Sequence, residues 1–190
     1  MTGTRWLSAE EQETWRAFLA ACNAFFSGVD AQLQHDAGMP LTYYEILVRL
    51  SEAPGRALRM SQLAEATSAS KSRSSHAVAR LEERGWVRRT DCATDRRGQV
   101  AELTEEGYAA LAEAARGHVE QVRQSLFDAL TPQQVIQLRA ISEAMIAAGG
   151  GHGKVAFLPV CPSGDEPAEC DESGQTGEFR ETVPAPPARR

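Results

Sequence analysis

Several features that would assign this chain to other classes of protein are missing from its sequence. No apolar run approaches the roughly 20 residues that a membrane-spanning helix needs. Trp6 is followed at once by polar, acidic, helix-forming residues, so we expect no signal peptide. The sequence also contains no glycine-rich phosphate loop, no nucleophile elbow and no paired catalytic carboxylates at a strand end, which argues against an enzyme.

The cysteines and histidines show no spacing that is typical of a metal site. We therefore predict neither a metal nor any other cofactor. Because the chain is not a small secreted scaffold, we expect its thiols to be reduced and the protein to be cytoplasmic. The cysteines are Cys22, Cys92, Cys161 and Cys170.

Charge is distributed unevenly along the chain. The whole sequence carries a formal net charge of −6, which by itself argues against a nucleic-acid binder. Residues 55–100, however, contain ten Lys and Arg against five Asp and Glu, a net charge of +5. Because attraction to phosphate depends on local charge, this segment is suited to nucleic acid while the acidic remainder weakens nonspecific contacts elsewhere.

Caps and apolar periodicity predict six helices. A capping box of Ser8 with Glu11 opens the first helix, and a second box of Thr42 with Glu45 opens the next. The six predicted N-caps are Ser8, Thr42, Ser61, Ser70, Thr104 and Thr131. Between the fourth and fifth helices, residues 86–90 and 99–103 are predicted strands around a turn that contains Asp91, Asp95 and Gly98. Residues 56–59 form an extended link that can add a third strand.

The apolar stripes of the helices predict a second copy of the chain. The helix from Thr104 and the last helix carry more apolar surface than one small winged domain can cover, which favours a two-fold homodimer. In the first helix the residues expected to be buried are Trp15, Phe18, Leu19, Cys22, Phe25, Phe26, Val29 and Leu33. In the last helix they are Val135, Leu138, Ile141 and Met145.

The fourth predicted helix, residues 70–84, has two distinct faces. Ala77, Val78 and Leu81 point towards the body of the protein, with Ser74 one turn earlier on the same side. The opposite face carries short hydroxyls and long cations with no acid before Glu82, a pattern suited to base edges and phosphates. An ordinary solvated helix face more often alternates Glu with Lys. The outward residues are Ser72, Arg73, Ser75, His76 and Arg80.

The predicted hairpin has the features of a DNA-binding wing. Arg96 and Arg97 lie at its turn beside Asp95, which can pair with one of them and fix its direction. An arginine at a hairpin tip is suited to the minor groove, while Arg88 and Arg89 on the strand can reach flanking phosphates. The predicted DNA-binding residues are Ser70, Lys71, Ser72, Arg73, Ser75, His76, Arg80, Arg88, Arg96 and Arg97.

Residues from about 8 to 146 resemble the MarR family of winged helix-turn-helix regulators. The motifs that carry the resemblance are LTYYEILVRL, QLAEATSASKSRSSHAVARLEERGWVRR, DRRG and AELTEEGYAAL, in this order. The resemblance implies a recognition helix at 70–84, Arg97 as the wing arginine, and a homodimer that binds a near-palindromic duplex, usually as a repressor released by a ligand or oxidant. Ser74 and Ala77 depart from the family pattern, which usually has larger apolar residues there, so we expect looser packing.

The expected fold is mainly α with a small β-wing: a winged helix-turn-helix of six helices in an intertwined homodimer. Residues 1–148 form this domain, with dimerisation helices at about 8–36, 104–130 and 131–147 and a DNA-binding part at about 42–103. Two-fold symmetry would set the recognition helices about 34 Å apart, one turn of DNA. Residues 149–190 are expected to be a disordered, acidic, proline-rich tail.

The effector is less well defined than the DNA site. The family's pocket implies a small aromatic or hydrophobic ligand, and its candidate lining residues are Trp15, Phe18, Cys22, Tyr43, Tyr44 and Leu47. Taken singly, each of them is better explained as a core residue. Redox sensing through Cys22 or Cys92 is the alternative, although the apolar surroundings of Cys22 disfavour a thiolate. A winged-helix protein-interaction module is a second alternative, and its expected acidic outer face is absent from the fourth helix.

Overall fold

The computed structural model describes residues 3–67, 70–92 and 95–149, but not the side chains of residues 92 and 95–97. These residues form six α-helices and a three-stranded antiparallel sheet, which confirms the predicted fold class. The elements are α1 (Ala9–Ala37), α2 (Leu41–Glu52), β1 (Ala57–Arg59), α3 (Met60–Ala66), α4 (Lys71–Glu83), β2 (Val87–Cys92), β3 (Asp95–Leu103), α5 (Glu105–Val122) and α6 (Pro132–Ala148). The predicted tail, apart from Gly149, lies outside the described residues.

Four of the six helices begin at the predicted cap. The hydroxyl of Ser8 accepts from the backbone N–H of Glu11 at 3.1 Å, and the Glu11 carboxylate accepts from the N–H of Ser8 at 2.7 Å. Thr131 caps α6 through an equivalent box with Gln134. The other two confirmed N-caps are Ser70 and Thr104. Each side chain satisfies a backbone N–H that has no partner inside the helix.

The predicted caps at Thr42 and Ser61 are wrong, and both residues lie in the first turn of their helices. Helix α2 begins at Leu41, whose N–H donates to the Asp30 carboxylate of α1 at 2.8 Å. Helix α3 begins at Met60 after a tight connection from β1. The α2 start is therefore supported by a residue eleven positions away, which a local capping pattern cannot reveal.

The hairpin is longer than predicted because most of the expected turn is strand. Strand β2 continues to Cys92 and β3 begins at Asp95, with an irregular register between Asp91 and Cys92. The extended link at Ala57–Arg59 does form a strand, which pairs with β3, so the sheet order is β1-β3-β2. Strand β2 is consequently an edge of the sheet.

The core lies between the end of α1, the helices α2 to α4, the first half of α5 and the sheet. Its completely buried members include Leu33, Ile46, Leu47, Leu50, Leu63, Val78, Leu81 and Ala101. Gly107 in the first turn of α5 is pressed against the start of β2, since a Cβ there would lie 2.0 Å from the carbonyl oxygen of Trp86. Only glycine permits this approach of α5 to the sheet.

The apolar stripes of α1 and α6 are largely uncovered within one chain, contrary to the expectation of burial. Of the predicted α1 stripe only Val29 and Leu33 are buried, whereas Trp15 is 50% exposed. In α6, Ile141 is 57% exposed and no residue is buried. The predicted helix at 104–130 also differs, because α5 ends at Val122 and a π-helical turn follows at Arg123–Phe127.

Candidate nucleic-acid interface

Helix α4 presents the two faces that its sequence pattern predicted. Ser74, Ala77, Val78 and Leu81 are buried against the body of the domain. Around the N-terminus, the hydroxyl of Ser70 accepts from the N–H of Arg73 at 3.3 Å, and the first turn contains no acid. The exposed residues of the opposite face include Lys71, Ser72, Arg73, Ser75, His76 and Arg80. The helix therefore offers a cationic, hydroxyl-rich surface at its positive end.

Ser74 is an unusual member of the buried face. Its side chain is only 1% exposed, and its hydroxyl has no hydrogen-bond partner among the described residues. A buried hydroxyl without a partner loses its hydration without compensation, which costs about 1–3 kcal/mol. Helix α4 is thus held to the domain less tightly than an apolar residue at this position would allow.

Two of the predicted DNA-binding arginines form ion pairs within the protein. Arg80 lies 2.7 Å from the carboxylate of Glu83 on the same helix, and Arg88 lies 2.9 Å from Glu102 across the hairpin. Lys71 and Arg73, in contrast, form no ion pair within the part of the chain that the structure describes. Binding of phosphate by Arg80 or Arg88 would require each to exchange a carboxylate for it, whereas Lys71 and Arg73 have no such ion pair to exchange among the described residues.

Arg89 forms an ion pair with Glu82 that the sequence did not predict. Its guanidinium lies 2.6 Å from the carboxylate of Glu82, and its backbone N–H donates to the other oxygen of that carboxylate at 3.3 Å. The hydrogen bond from Arg89 holds the pKa of Glu82 below its ordinary value. The sequence does contain a signal for this contact: an acid in the last turn of a helix is followed by an arginine early in the next strand.

Arg84 contacts the aromatic residues next to α4. Its guanidinium lies 4.9 Å from the ring centre of Trp86 and 5.7 Å from that of Tyr43. These are cation–π distances. Tyr43, which was predicted to line a ligand pocket, therefore lies beside the C-terminus of α4 instead.

The predicted wing residues are described only in part. Arg96 and Arg97 belong to β3, so they lie beyond the hairpin's turn and not in it. Their side chains lie outside the described part of the chain, as does the expected pairing with Asp95. Their contact with a DNA groove stays a prediction.

A second site is a cavity of about 260 Å³ between α1, α2 and α5. Of the six predicted ligand-binding residues, only Tyr44 lines it. The sequence reasoning missed its polar members, Glu45, Arg49 and His118, whose spacing carries no local motif. The full lining is Phe25, Phe26, Val29, Leu41, Tyr44, Glu45, Arg49, His118 and Val122.

His118 is the most unusual residue of the cavity. It is 6% exposed, its ring centre lies 4.4 Å from that of Tyr44, and its Nδ1 has no hydrogen-bond partner among the described residues. Burial lowers the pKa of His118, so the ring is neutral at pH 7. Burial also raises the pKa of Glu45, an effect that the charge of Arg49 opposes. The cavity therefore combines an apolar wall with an unsatisfied ring nitrogen.

The other predicted ligand-binding residues are dispersed. Trp15 and Phe18 stack at 6.1 Å and line a separate, open groove of about 480 Å³ with Ile141 and Met145 of α6. Leu47 is completely buried in the core, and Cys22 is a partly buried free thiol of α1. The structure does not bring these residues to one pocket.

Two further features concern other classes of site. Within residues 3–67, 70–92 and 95–149, no group of His, Cys, Asp and Glu side chains is arranged to hold a metal ion. None of the described helices combines the length and the apolar character needed to cross a bilayer.

Known proteins resemble this chain closely in sequence and fold. Residues 37–98 match the family model described as MarR family. Sco3205, a MarR family transcriptional regulator from Streptomyces coelicolor solved in complex with DNA, is 51% identical, with 84% of this chain and 98% of that one covered and a TM-score of 0.74. AbsC, a MarR family regulator from the same organism, is 40% identical, with 77% and 99% covered and a TM-score of 0.70.

A more distant structure shares the fold alone. A mutant of MarR from E. coli, complexed with operator DNA, is 19% identical, with 75% of this chain and 99% of that one covered and a TM-score of 0.65. No curated protein matches the chain.

Proposed function

The chain belongs to the MarR family of transcriptional regulators, and we propose that it binds a specific, near-palindromic duplex as a homodimer through α4 of each protomer. Members of this family are regulators and not enzymes, which confirms the prediction drawn from the missing catalytic motifs. The observation that carries the proposal is the exposed face of α4, on which Lys71 and Arg73 lie among the exposed hydroxyls of Ser70, Ser72 and Ser75 at the helix N-terminus.

The proposed reading of DNA divides between α4 and the hairpin. Helix α4 enters the major groove with Arg73, Ser75 and His76 towards base edges, and Lys71 binds a flanking phosphate. Arg96 and Arg97 of β3 approach the adjacent minor groove, whose negative potential favours arginine. The DNA complex of Sco3205, which is 51% identical, supports DNA binding by this chain.

The proposed homodimer covers the apolar faces that one chain leaves open. These faces lie on the first half of α1 and along α6, and they include Trp15 and Ile141. Their burial would supply the main driving force for association, at about 25 cal/mol per Å² of apolar surface. A two-fold axis through these helices would set the two α4 helices about one DNA turn apart.

The proposed effector is a small aromatic or hydrophobic molecule that enters the cavity beside His118 and releases the repressor from DNA. The cavity of about 260 Å³ lies just below the range of about 300–1,000 Å³ for drug-sized ligands, so it suits a single aromatic ring. The Nδ1 of His118, which has no hydrogen-bond partner in the described part of the chain, offers one polar contact. Release follows if the ligand favours a separation of the α4 helices that does not match the operator.

The alternatives have less support. Cys22 is partly buried on an apolar helix, and the side chain of Cys92 is not described, so no observation favours a thiol switch. A protein-interaction module would need acids on the outer face of α4, and the first of them is Glu82 at its end. We place the regulator in the cytoplasm, where its DNA is.

Titration of a labelled duplex from the protein's own upstream region tests the proposal. We expect tight binding as a dimer, a much weaker complex with a scrambled duplex, and an affinity that falls steeply with salt as phosphate contacts release counterions. Equal affinity for both duplexes would contradict sequence-specific regulation. Single-ring aromatic acids added to the complex test the effector, and binding that none of them weakens would contradict that part.

A further inference from the structure

One carboxylate links the end of α4 to the hairpin. The side chain of Glu82 accepts three hydrogen bonds or ion-pair contacts from Arg89: from the backbone N–H at 3.3 Å, from Nε at 2.8 Å and from the terminal guanidinium nitrogen at 2.6 Å. Both side chains are about one-third exposed. A contact with this many hydrogen bonds has a defined geometry, unlike a single-point surface ion pair.

The position of Arg89 explains why an acid is needed there. Strand β2 is an edge of the sheet, so its outward N–H groups have no strand partner. The N–H of Arg89 is one of these, and Glu82 satisfies it. The helix thus takes the place of a neighbouring strand at this point of the edge.

This contact lies where it can set the direction of the hairpin. The connection between α4 and β2 is short and contains Gly85 in the left-handed region, at a φ of 74°. Val87 is buried and fixes the start of the strand, whereas Arg89 lies two residues farther along. The end of β2 lies on the order of 10 Å beyond Arg89, so a tilt of roughly 15° there would displace it by roughly 3 Å, the length of a hydrogen bond.

We propose that Glu82 is a positioning residue for DNA binding: it holds Arg89, and with it the β2–β3 hairpin, at the angle to α4 that lets helix and hairpin contact one duplex together. The inference rests on the proposed function, in which both elements touch DNA. It also reassigns Arg89 from a phosphate contact to a structural one.

The hairpin offers a matched control. Arg88 and Glu102 form a comparable ion pair at 2.9 Å, but they are opposite each other in the register of β2 and β3. This pair does not connect the hairpin to α4. Replacing Glu102 by alanine removes the same charge from the same region and leaves the link between helix and hairpin in place.

The sign of the expected effect separates positioning from simple electrostatics. Removal of a negative charge near DNA should strengthen binding, so Glu102→Ala should bind the operator as tightly as the wild type or more tightly. Glu82→Ala should instead weaken operator binding about tenfold, because the hairpin is no longer aligned. Glu82→Gln, whose amide oxygen still accepts from Arg89, should show a smaller loss. Thermal melting of each variant checks that it is folded.

A double-mutant cycle identifies the hairpin as the element through which Glu82 acts. The losses from Glu82→Ala and Arg97→Ala should be less than additive, since a misaligned hairpin has already lost the arginine contact. The losses from Glu82→Ala and Arg73→Ala should add, because Arg73 lies on the helix. Full additivity with Arg97→Ala, or wild-type affinity of Glu82→Ala, would overturn the inference while leaving the proposed function intact. Wild-type affinity of Arg97→Ala would instead refute the proposed wing contact and the inference with it.

Discussion

The inner face of α4 and the apolar face of α1 have similar helical patterns, yet they differ in what covers them. On α4, Val78 and Leu81 are completely buried by the rest of the winged half. On α1, Trp15 and Phe26 are about half exposed in one chain. A periodic stripe therefore predicts which face of a helix is apolar, but the covering surface can belong to another copy of the chain.

The largest expected effect tests the winged half, whose apolar faces are covered within one chain. Gly107→Val should destabilise the fold by about 3 kcal/mol or more, because its Cβ would meet the carbonyl oxygen of Trp86 at 2.0 Å and the backbone cannot yield. Denaturant unfolding measures this change. The control is Gly28→Ala in α1, where a Cβ would meet only Gln121 at 3.4 Å and helix propensity favours alanine. Equal stability of the two variants would contradict the close packing of α5 on the sheet.

The next effect tests the apolar faces of α1 and α6, which one chain leaves uncovered. Ile141→Asp places a charge on an α6 face that is 57% exposed in one chain. We expect the variant to fold but to dissociate, with a dimer weakened by about 3 kcal/mol, since the charge would be buried at the interface. Light scattering across a concentration series measures it, and Ser142→Asp, one residue away, is the comparison. A monomeric wild type would contradict the two-copy explanation altogether.

A smaller effect of opposite sign is expected at Ser74. Ser74→Ala removes a buried hydroxyl without a partner among the described residues, so it should stabilise the protein by about 1 kcal/mol. Ser75→Ala, on the exposed face, should leave stability nearly unchanged. The thermal midpoints of the two variants distinguish them, and a destabilised Ser74→Ala would mean that the hydroxyl is satisfied in solution.

The smallest expected effect is on the pH dependence of stability, and it concerns His118 in the cavity between α1, α2 and α5. Burial lowers the folded-state pKa of His118 below its ordinary value of 6.5, so the unfolded chain binds a proton more readily than the folded one. The contribution of the neutral His118 ring to the free energy of unfolding is therefore complete above about pH 6.5, and it decreases as the pH falls from there towards the folded-state pKa. His118→Gln should flatten this part of the stability profile, whereas Glu45 and Arg49 remain in both proteins. A profile unchanged by the substitution would refute a buried, neutral ring.

The sequence was sufficient for features that depend on neighbouring residues. The caps at Ser8, Ser70 and Thr131 and the two faces of α4 follow from local spacing, and the structure confirms them. The start of α2 could not be predicted in this way, because it depends on Asp30 of another helix. The length of the hairpin was also underestimated, since strand pairing extended through polar residues that resemble a turn.

The candidate sites divide along the same line. The exposed cationic face of α4 could be predicted because all of its residues belong to one helix and follow from the helical repeat alone. Of the cavity lining only Tyr44 was predicted, because its polar members Glu45 and His118 belong to two helices far apart in sequence and carry no local motif. Glu82 was missed for a related reason: its role depends on a contact with a strand that only the fold creates.

A pair of charge reversals tests the central claim most directly. Arg73→Glu on the outer face of α4 and Arg116→Glu on α5 change the net charge of the chain equally, and both residues are exposed. If the α4 face binds DNA, Arg73→Glu should lower operator affinity by roughly 100-fold or more, since two copies of the contact are lost per dimer. Arg116→Glu should have a much smaller effect. Equal losses for the two variants would mean that overall charge, and not the α4 surface, determines DNA binding.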